Sequence, residues 1–197
     1  MVMGGEGSII ERLKQLHIVP LSISYEYDPC DYLKAREYQL RRDIPFWKKT
    51  AEDDLESMLI GIKGFKGHIF YSCAPCIDEW LDTLDTDLPK NKLFDAIASH
   101  IDHEIHCNYK LYPVNYIALD MIQDTKAYEE YYTQADYEKF DAYLAGQIEK
   151  INIENRDDKF LRTCLLTQYA YPAKNYIDAS SESGRLKSLL NRLTFKK

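Results

Sequence analysis

Hydrophobic and polar positions along this chain recur with two different periods, and the switches between them outline the elements. Ile9, Ile10, Leu13 and Leu16 recur at about three-residue spacing and predict a short helix over 9–16. The next stretch, Leu16-His17-Ile18-Val19-Pro20-Leu21-Ser22-Ile23-Ser24-Tyr25, predicts a strand over 17–25. Pro20 lacks the N–H that a ladder needs, so it marks an edge, a strand start or a special site. Asp28 as N-cap, Pro29 at the first helical position and Asp31 in the first turn predict a helix running to about Arg41. Thr50 followed by Asp53 and Asp54 opens another, in which Leu55, Met58, Leu59 and Ile62 keep the i, i+3, i+4, i+7 rule. Gly64 or Gly67 ends it and turns the chain into a second strand over 68–73.

Strand, helical crossover and strand together predict a βαβ unit, whose usual form is a parallel pair inside an α/β sheet. A parallel pair alone would leave most of its apolar surface uncovered. Its neighbours are therefore expected from an upstream segment or another chain, unless a further strand lies near Tyr116 to Leu119. From Pro89 onward the pattern is helical. One amphipathic helix spans 89–107, and a second, capped by Thr133, carries Tyr137, Phe140, Leu144, Ile148 and Ile151. A third follows Leu161, Leu165 and Gln168 and stops at Pro172, and a last one carries Leu186, Leu189, Leu190 and Leu193. The predicted organisation is an α/β portion over 1–125 and a helical extension over 126–197 packed on it, since no Gly/Ser linker separates them.

Composition narrows the class. A chain of 197 residues, 45% hydrophobic and 29% charged, can build one or two small cores. A net charge of −7 argues against nucleic acid as a partner, because a phosphate backbone is bound by clustered Lys and Arg. The sequence has no apolar run of about 20 residues to span a bilayer, and no basic start with an apolar core to act as a signal peptide. Five scattered cysteines, Cys30, Cys73, Cys76, Cys107 and Cys164, suit buried thiols in a reducing compartment. Cys73-Ala74-Pro75-Cys76 has redox-motif spacing, but the surrounding pattern is not that of a thioredoxin, and a zinc site would need a second ligand pair.

The remaining polar features have plainer readings. His100, His103 and His106 are spaced so that two of them could share a metal, yet exposed or hydrogen-bonded side chains flanking an apolar face of Phe94, Ile97, Ala98, Ile101 and Ile105 are the commoner arrangement. Lys63 and Lys66 among Gly61, Gly64 and Gly67 do not match a phosphate loop and read as a solvated turn. Arg36, Arg41 and Arg42, balanced by Glu37 and Asp43, read as an ion-pair face. Sixteen tyrosines, with Tyr128, Tyr131, Tyr132 and Tyr137 close together, read as packed rings with satisfied hydroxyls, the alternative being an interface or membrane-proximal surface.

The apolar-apolar-Pro-apolar block Ile18-Val19-Pro20-Leu21 resembles one near the end of the catalytic domain of the glycerolphosphate and lysophosphatidate acyltransferases. Tyr25-Glu26-Tyr27-Asp28-Pro29-Cys30-Asp31-Tyr32-Leu33-Lys34-Ala35-Arg36-Glu37 and Lys110-Leu111-Tyr112-Pro113-Val114-Asn115-Tyr116-Ile117-Ala118 look like segments of a bacterial branch of that family, and the resemblance covers most of residues 9–197. It implies a partial acyltransferase-type α/β fold followed by a helix-rich region. It also implies transfer of an acyl group from acyl-CoA or acyl carrier protein to a lysophospholipid-type acceptor, in the cytoplasm or at the inner face of the membrane. No bound cofactor or metal is implied.

The family's His-x4-Asp motif is missing: His17, His68, His100, His103 and His106 are followed five positions on by Ser22, Cys73, Ile105, Asn108 and Leu111. No catalytic residue is carried over, and only Ile18, Val19, Pro20 and Leu21 are, as the block that shapes the acyl or acceptor site. Gly5-Glu6-Gly7-Ser8 lacks the arginine of the family's phosphate block and reads as a flexible beginning. The chain is thus expected to be the C-terminal half of an acyltransferase, as a fragment or a separately encoded remnant, and inactive alone. The alternative is a non-catalytic lipid-binding or protein-interaction module.

Overall fold

Two strands, Leu21–Tyr25 (β1) and Ile69–Cys73 (β2), pair into a single ladder in the computed structural model of this chain, which describes residues 7–181. Backbone hydrogen bonds flank both ends of the pair. The N–H of Glu26 donates to His68 O (2.9 Å) and that of Tyr27 to Lys66 O (3.0 Å), while Ala74 N–H donates to Pro20 O (2.9 Å) and Ile77 N–H to Ile18 O (3.0 Å). Early residues of one strand face late residues of the other, so the pair is antiparallel and the predicted parallel βαβ unit is corrected.

The physical reason lies in the connection. Both predicted helices, Asp31–Asp43 (α2) and Ala51–Lys63 (α3), stand between the strands. Pro29 abuts Gly64, Cys30 lies near Gly61, and Arg36 pairs with Asp53 at 2.6 Å, so α3 runs back along α2. The excursion returns the chain to the end of the strand it left, as an antiparallel partner requires and a parallel one forbids.

Local chemistry accounts for most helix starts. Ser8 accepts the Glu11 N–H (3.1 Å) while the Glu11 carboxylate accepts the Ser8 N–H (2.7 Å), a reciprocal box that opens Ile9–Lys14 (α1). Thr50 with Asp53 opens α3 in the same way, and Thr133 with Asp136 opens Gln134–Glu149. The α2 start lies two residues beyond the expected one. Asp28 accepts the Cys30 N–H on its side chain (2.9 Å) and the Asp31 N–H on its carbonyl (3.1 Å), forming a turn ahead of the helix.

Beyond β2 the order is Asp78–Leu81 (α4), Lys90–Cys107 (α5), Pro113–Gln123 (α6), a 3-10 turn at Glu129–Tyr131, Gln134–Glu149 (α7) and Asp158–Ser180 (α8). Tyr116 to Leu119, the suggested further strand, lies inside α6. Pro113 occupies its first turn, Asn115 Oδ1 accepts the Tyr112 N–H at 2.8 Å, and Val114, Ile117 and Ala118 are buried at helical spacing. Pro172 does not stop α8. Leu161, Leu165, Tyr169 and Ala173 are buried at four-residue intervals, and that packing carries the helix past the one hydrogen bond the proline removes. The helix predicted around Leu186 to Leu193 lies outside the described residues.

The chain thus mixes many helices with a small sheet, and it forms two compact units assembled from distant segments. Residues 7–23, 71–110 and 175–181 make one, with Ile10, Leu13, Ile77, Leu81, Leu93 and Ile97 in its core. Residues 24–70 and 111–174 make the other, around Leu33, Ile117, Phe140, Leu144, Leu161 and Leu165. No described helix is long and apolar enough to cross a membrane.

The close approach of α3 to Pro29 is testable. A Cβ on Gly64 would lie 2.4 Å from Pro29 Cβ and 2.6 Å from the Ile60 carbonyl oxygen, so Gly64→Ala is expected to cost about 1–3 kcal/mol in urea denaturation.

Candidate functional site

The proline block leads into β1, and its residues divide by exposure. Pro20 is buried, Ile18 is half-buried, and Val19 and Leu21 are exposed. The alternation continues along the strand: Ser22 and Ser24 are buried, while Leu21, Ile23 and Tyr25 face outward with 45%, 43% and 39% of their surface free. Ser22 Oγ donates to the Ile105 carbonyl at 2.8 Å, which satisfies its buried hydroxyl. A half-buried strand ordinarily puts its apolar side chains inward. Here the polarity is inverted, with small hydroxyls inside and branched apolar groups in solvent. On β2, Ile69, Phe70 and Tyr71 are likewise exposed.

The second inverted element is α3, in which no residue is buried. At 100° per residue Ser57, Gly61 and Gly64 share one side, and that side meets α2. Cys30 Sγ donates to Ser57 O at 3.3 Å, and Pro29 fills the space beside Gly64. Leu55, Met58, Leu59 and Ile62 lie opposite and are exposed, Leu59 by 50% and Ile62 by 75%. Phe65 beyond the helix end is exposed as well. Small residues thus make the contact, and the large apolar stripe that usually faces a core faces water.

The unit formed by 24–70 and 111–174 also holds a buried acid. Asp31 Oδ2 accepts from Tyr169 Oη at 2.6 Å and Tyr143 Oη at 2.7 Å, and Oδ1 accepts the Tyr32 N–H. Tyr169 Oη also accepts the Asp28 N–H (3.1 Å), and Gln147 donates to Tyr143 Oη. Burial pushes the Asp31 carboxyl up, against the lowering effect of the two tyrosine hydroxyls. Burial, and then the Asp31 charge, pushes both phenols well above their usual range. Asp31 is fully buried and has no opening to substrate, so the network fixes α2 against α7 and α8.

The residues flagged from the sequence separate rather than converge. His100 stacks on Trp80 (3.9 Å between centroids), His103 Nε2 lies 3.6 Å from Cys107 Sγ, and His106 Nε2 lies 3.4 Å from Asn175. The three thus face different neighbours. Lys66 Nζ donates to the Ile62 and Gly64 carbonyls (3.1 Å each) and closes the end of α3. Arg41 and Arg42 pair with Glu37 and Asp43, as expected, whereas Arg36 pairs with Asp53 on α3, and Arg42 reaches Asp157 as well. No cysteine is fully buried, and Cys73 and Cys76 are exposed, which corrects the expectation of buried thiols.

An open cleft of about 1080 Å³ is lined by Asp120, Thr125, Tyr132, Tyr137 and Arg162 among others. Asp120 is saturated by Thr125 Oγ1 (2.7 Å), the Tyr128 N–H (3.1 Å) and Tyr132 Oη (2.9 Å), and burial with that bond pushes Tyr132 up to about 12. Tyr131 stacks on Tyr116 at 4.3 Å. Tyr132 is thus half-buried with its hydroxyl satisfied, whereas Tyr131 is stacked on Tyr116 yet exposed.

Two histidine–carboxylate pairs escaped the sequence reading. His68 Nδ1 lies 2.7 Å from Glu26 Oε2, and His17 Nδ1 lies 2.6 Å from Asp78 Oδ2. Their partners are 42 and 61 residues away along the chain, and only the ladder register brings them together, so no linear motif could have revealed them.

Two measurements probe these features. The folded chain holds the Asp31 proton longer than the unfolded chain does, so that carboxyl's share of stability is full below the unfolded value of about 4 and is lost as pH rises through the raised folded value. In urea denaturation at a series of pH values, the wild type is expected to lose stability relative to Asp31→Asn as pH climbs from about 4. The double change Leu59→Glu and Ile62→Glu is expected to keep unfolding stability within about 0.5 kcal/mol and to lower the binding of an apolar dye. No family model, curated protein or solved structure matches this chain, so its residues alone carry the functional reading.

Proposed function

We propose that this chain is the substrate-shaping half of a glycerolipid acyltransferase. It works with a polypeptide segment that carries the catalytic His and Asp and packs on the apolar face of β1. The observation that carries this reading is the inverted strand: the block Ile18-Val19-Pro20-Leu21 leads into a β1 that buries Ser22 and Ser24 and exposes Leu21, Ile23 and Tyr25. An apolar face on a two-stranded sheet with open edges is suited to being covered. The resemblance of the same block to the acyltransferases supplies the chemistry such a cover would bring.

In that chemistry a His takes the proton of the acceptor hydroxyl while an Asp orients it. The alkoxide attacks the thioester carbonyl of acyl-CoA or acyl carrier protein, the carbon–sulfur bond breaks, and the thiolate leaves and is reprotonated. The acceptor is a lysophospholipid-type alcohol at the inner face of the membrane. This chain contributes apolar walls for the acyl or acceptor group and no proton-transfer residue.

A second reading, a non-catalytic module that docks on a protein, is favoured by the stripe on α3. Helices that lie on anionic bilayers carry Lys and Arg beside the apolar face, whereas α3 carries Glu52, Asp53, Asp54 and Glu56 against Lys63. That charge balance suits a protein groove better than a lipid headgroup layer.

The test joins this chain to a segment bearing His-x4-Asp and the arginine-containing phosphate block of a bacterial lysophosphatidate acyltransferase, and follows labelled acyl transfer from acyl-CoA to lysophosphatidate. The joined protein is expected to turn over. The chain alone is expected to be inactive, and Leu21→Glu with Ile23→Glu to abolish transfer while the circular dichroism of the chain is unchanged. A joined protein that is folded yet inactive overturns the acyl-transfer reading, and stable association without turnover supports the docking module.

A further inference from the structure

We propose that His17, Cys76 and Asp78 form a zinc site, with a fourth position open to solvent. The site lies within the unit that contains 7–23 and 71–110, and it stands independently of the acyl-transfer reading. An imidazole nitrogen, a thiol sulfur and a carboxylate oxygen lie within 4.8 Å of one another. Zinc bonds of about 2.0–2.3 Å to N, O and S put tetrahedral ligand atoms roughly 3.5 Å apart, so the three donors reach a common ion by small side-chain rotations.

The backbone explains why these three meet. Ile77 N–H donates to the Ile18 carbonyl at 3.0 Å, and this bond, at the outer end of the strand pairing, sets His17 beside Asp78. His17 takes a left-handed conformation, φ +47°, which is unusual for a residue with a Cβ and aims its ring at Asp78 rather than along the strand. Cys76 stands two residues before Asp78, at the lead-in to α4, and supplies the sulfur.

One feature of Asp78 favours a cation. Its Oδ1 is buried and accepts no hydrogen bond, an orphaned acceptor that a metal would satisfy. The neighbouring Lys14 is engaged by Asp82 at 2.6 Å, which offsets its charge.

The donor set selects the ion. Magnesium and calcium take all-oxygen sites, and copper(I) prefers several soft sulfurs. One thiolate, one imidazole and one carboxylate suit borderline zinc. A zinc site on Cys73-x-x-Cys76 would need a second ligand pair. The fold supplies His17 and Asp78 as that pair and leaves Cys73 outside the trio.

Cobalt(II) and zinc(II) titration of the purified full chain tests the site. We expect one equivalent of cobalt to give a tetrahedral spectrum with a thiolate-to-metal charge-transfer band, and zinc to displace it and raise the melting temperature. Cys76→Ser should remove that band. His17→Asn, whose new residue tolerates the left-handed backbone, and Asp78→Asn should each weaken zinc by at least the roughly 10–100-fold that losing a mere supporting partner costs. Cys73→Ser should leave binding intact. Circular dichroism of the metal-free variants checks that each is folded. Absence of saturable uptake by the folded wild type, a cobalt spectrum without the thiolate band, or equal binding by folded Cys76→Ser overturns the site.

Discussion

The antiparallel pairing of β1 with β2 is the constraint on which the rest of the molecule depends. Its flanking bonds, from Tyr27 to Lys66 at one end and from Ile77 to Ile18 at the other, close a long loop and hold the α2–α3 excursion as a folded-back pair. Closing such a loop carries an entropic cost that grows slowly with its length, and many small contacts along the excursion offset it: glycine against proline, a thiol on a carbonyl, Arg36 on Asp53. The same register brings together His17 with Asp78 and His68 with Glu26.

Polarity along this framework is arranged unusually. The parts of each unit that pack do so in ordinary ways, with apolar residues inside and buried polar groups such as Asp31, Gln39 and Asp120 each held by several hydrogen bonds. β1 and α3 are the exceptions, because each turns its smallest or most polar side inward and its largest apolar side outward. Exposing branched side chains in this way forgoes roughly 25 cal/mol for every Å² left in water. That is why the proposed function is built on what these faces lack.

Particular residues mark where sequence reasoning succeeded. Thr50 with Asp53 and Thr133 with Asp136 were legible as helix starts because a capping box is a local device, complete within four residues. The strands were legible from their apolar runs, and the ion pairs of Arg41 and Arg42 from charge balance. The direction of strand pairing was not, because it turns on how α2 and α3 pack, and glycines at 61 and 64 signal a close approach without naming its partner. Pro172 misled for the converse reason: a local breaker was overridden by the burial of Leu165, Tyr169 and Ala173 on both sides of it.

By itself, the sequence determined the positions of most helices, the two strand segments, the absence of a His-x4-Asp spacing and the proline block on which the acyltransferase resemblance rests. These are properties of neighbours within a few residues, where periodicity, caps and breakers act directly. Only the tertiary structure decided that the strands run antiparallel, that the stripe of Leu55, Met58, Leu59 and Ile62 faces outward, and that His17, Cys76 and Asp78 converge. Those outcomes depend on contacts between residues tens of positions apart, and ladder register and helix packing, rather than any local preference, choose among them.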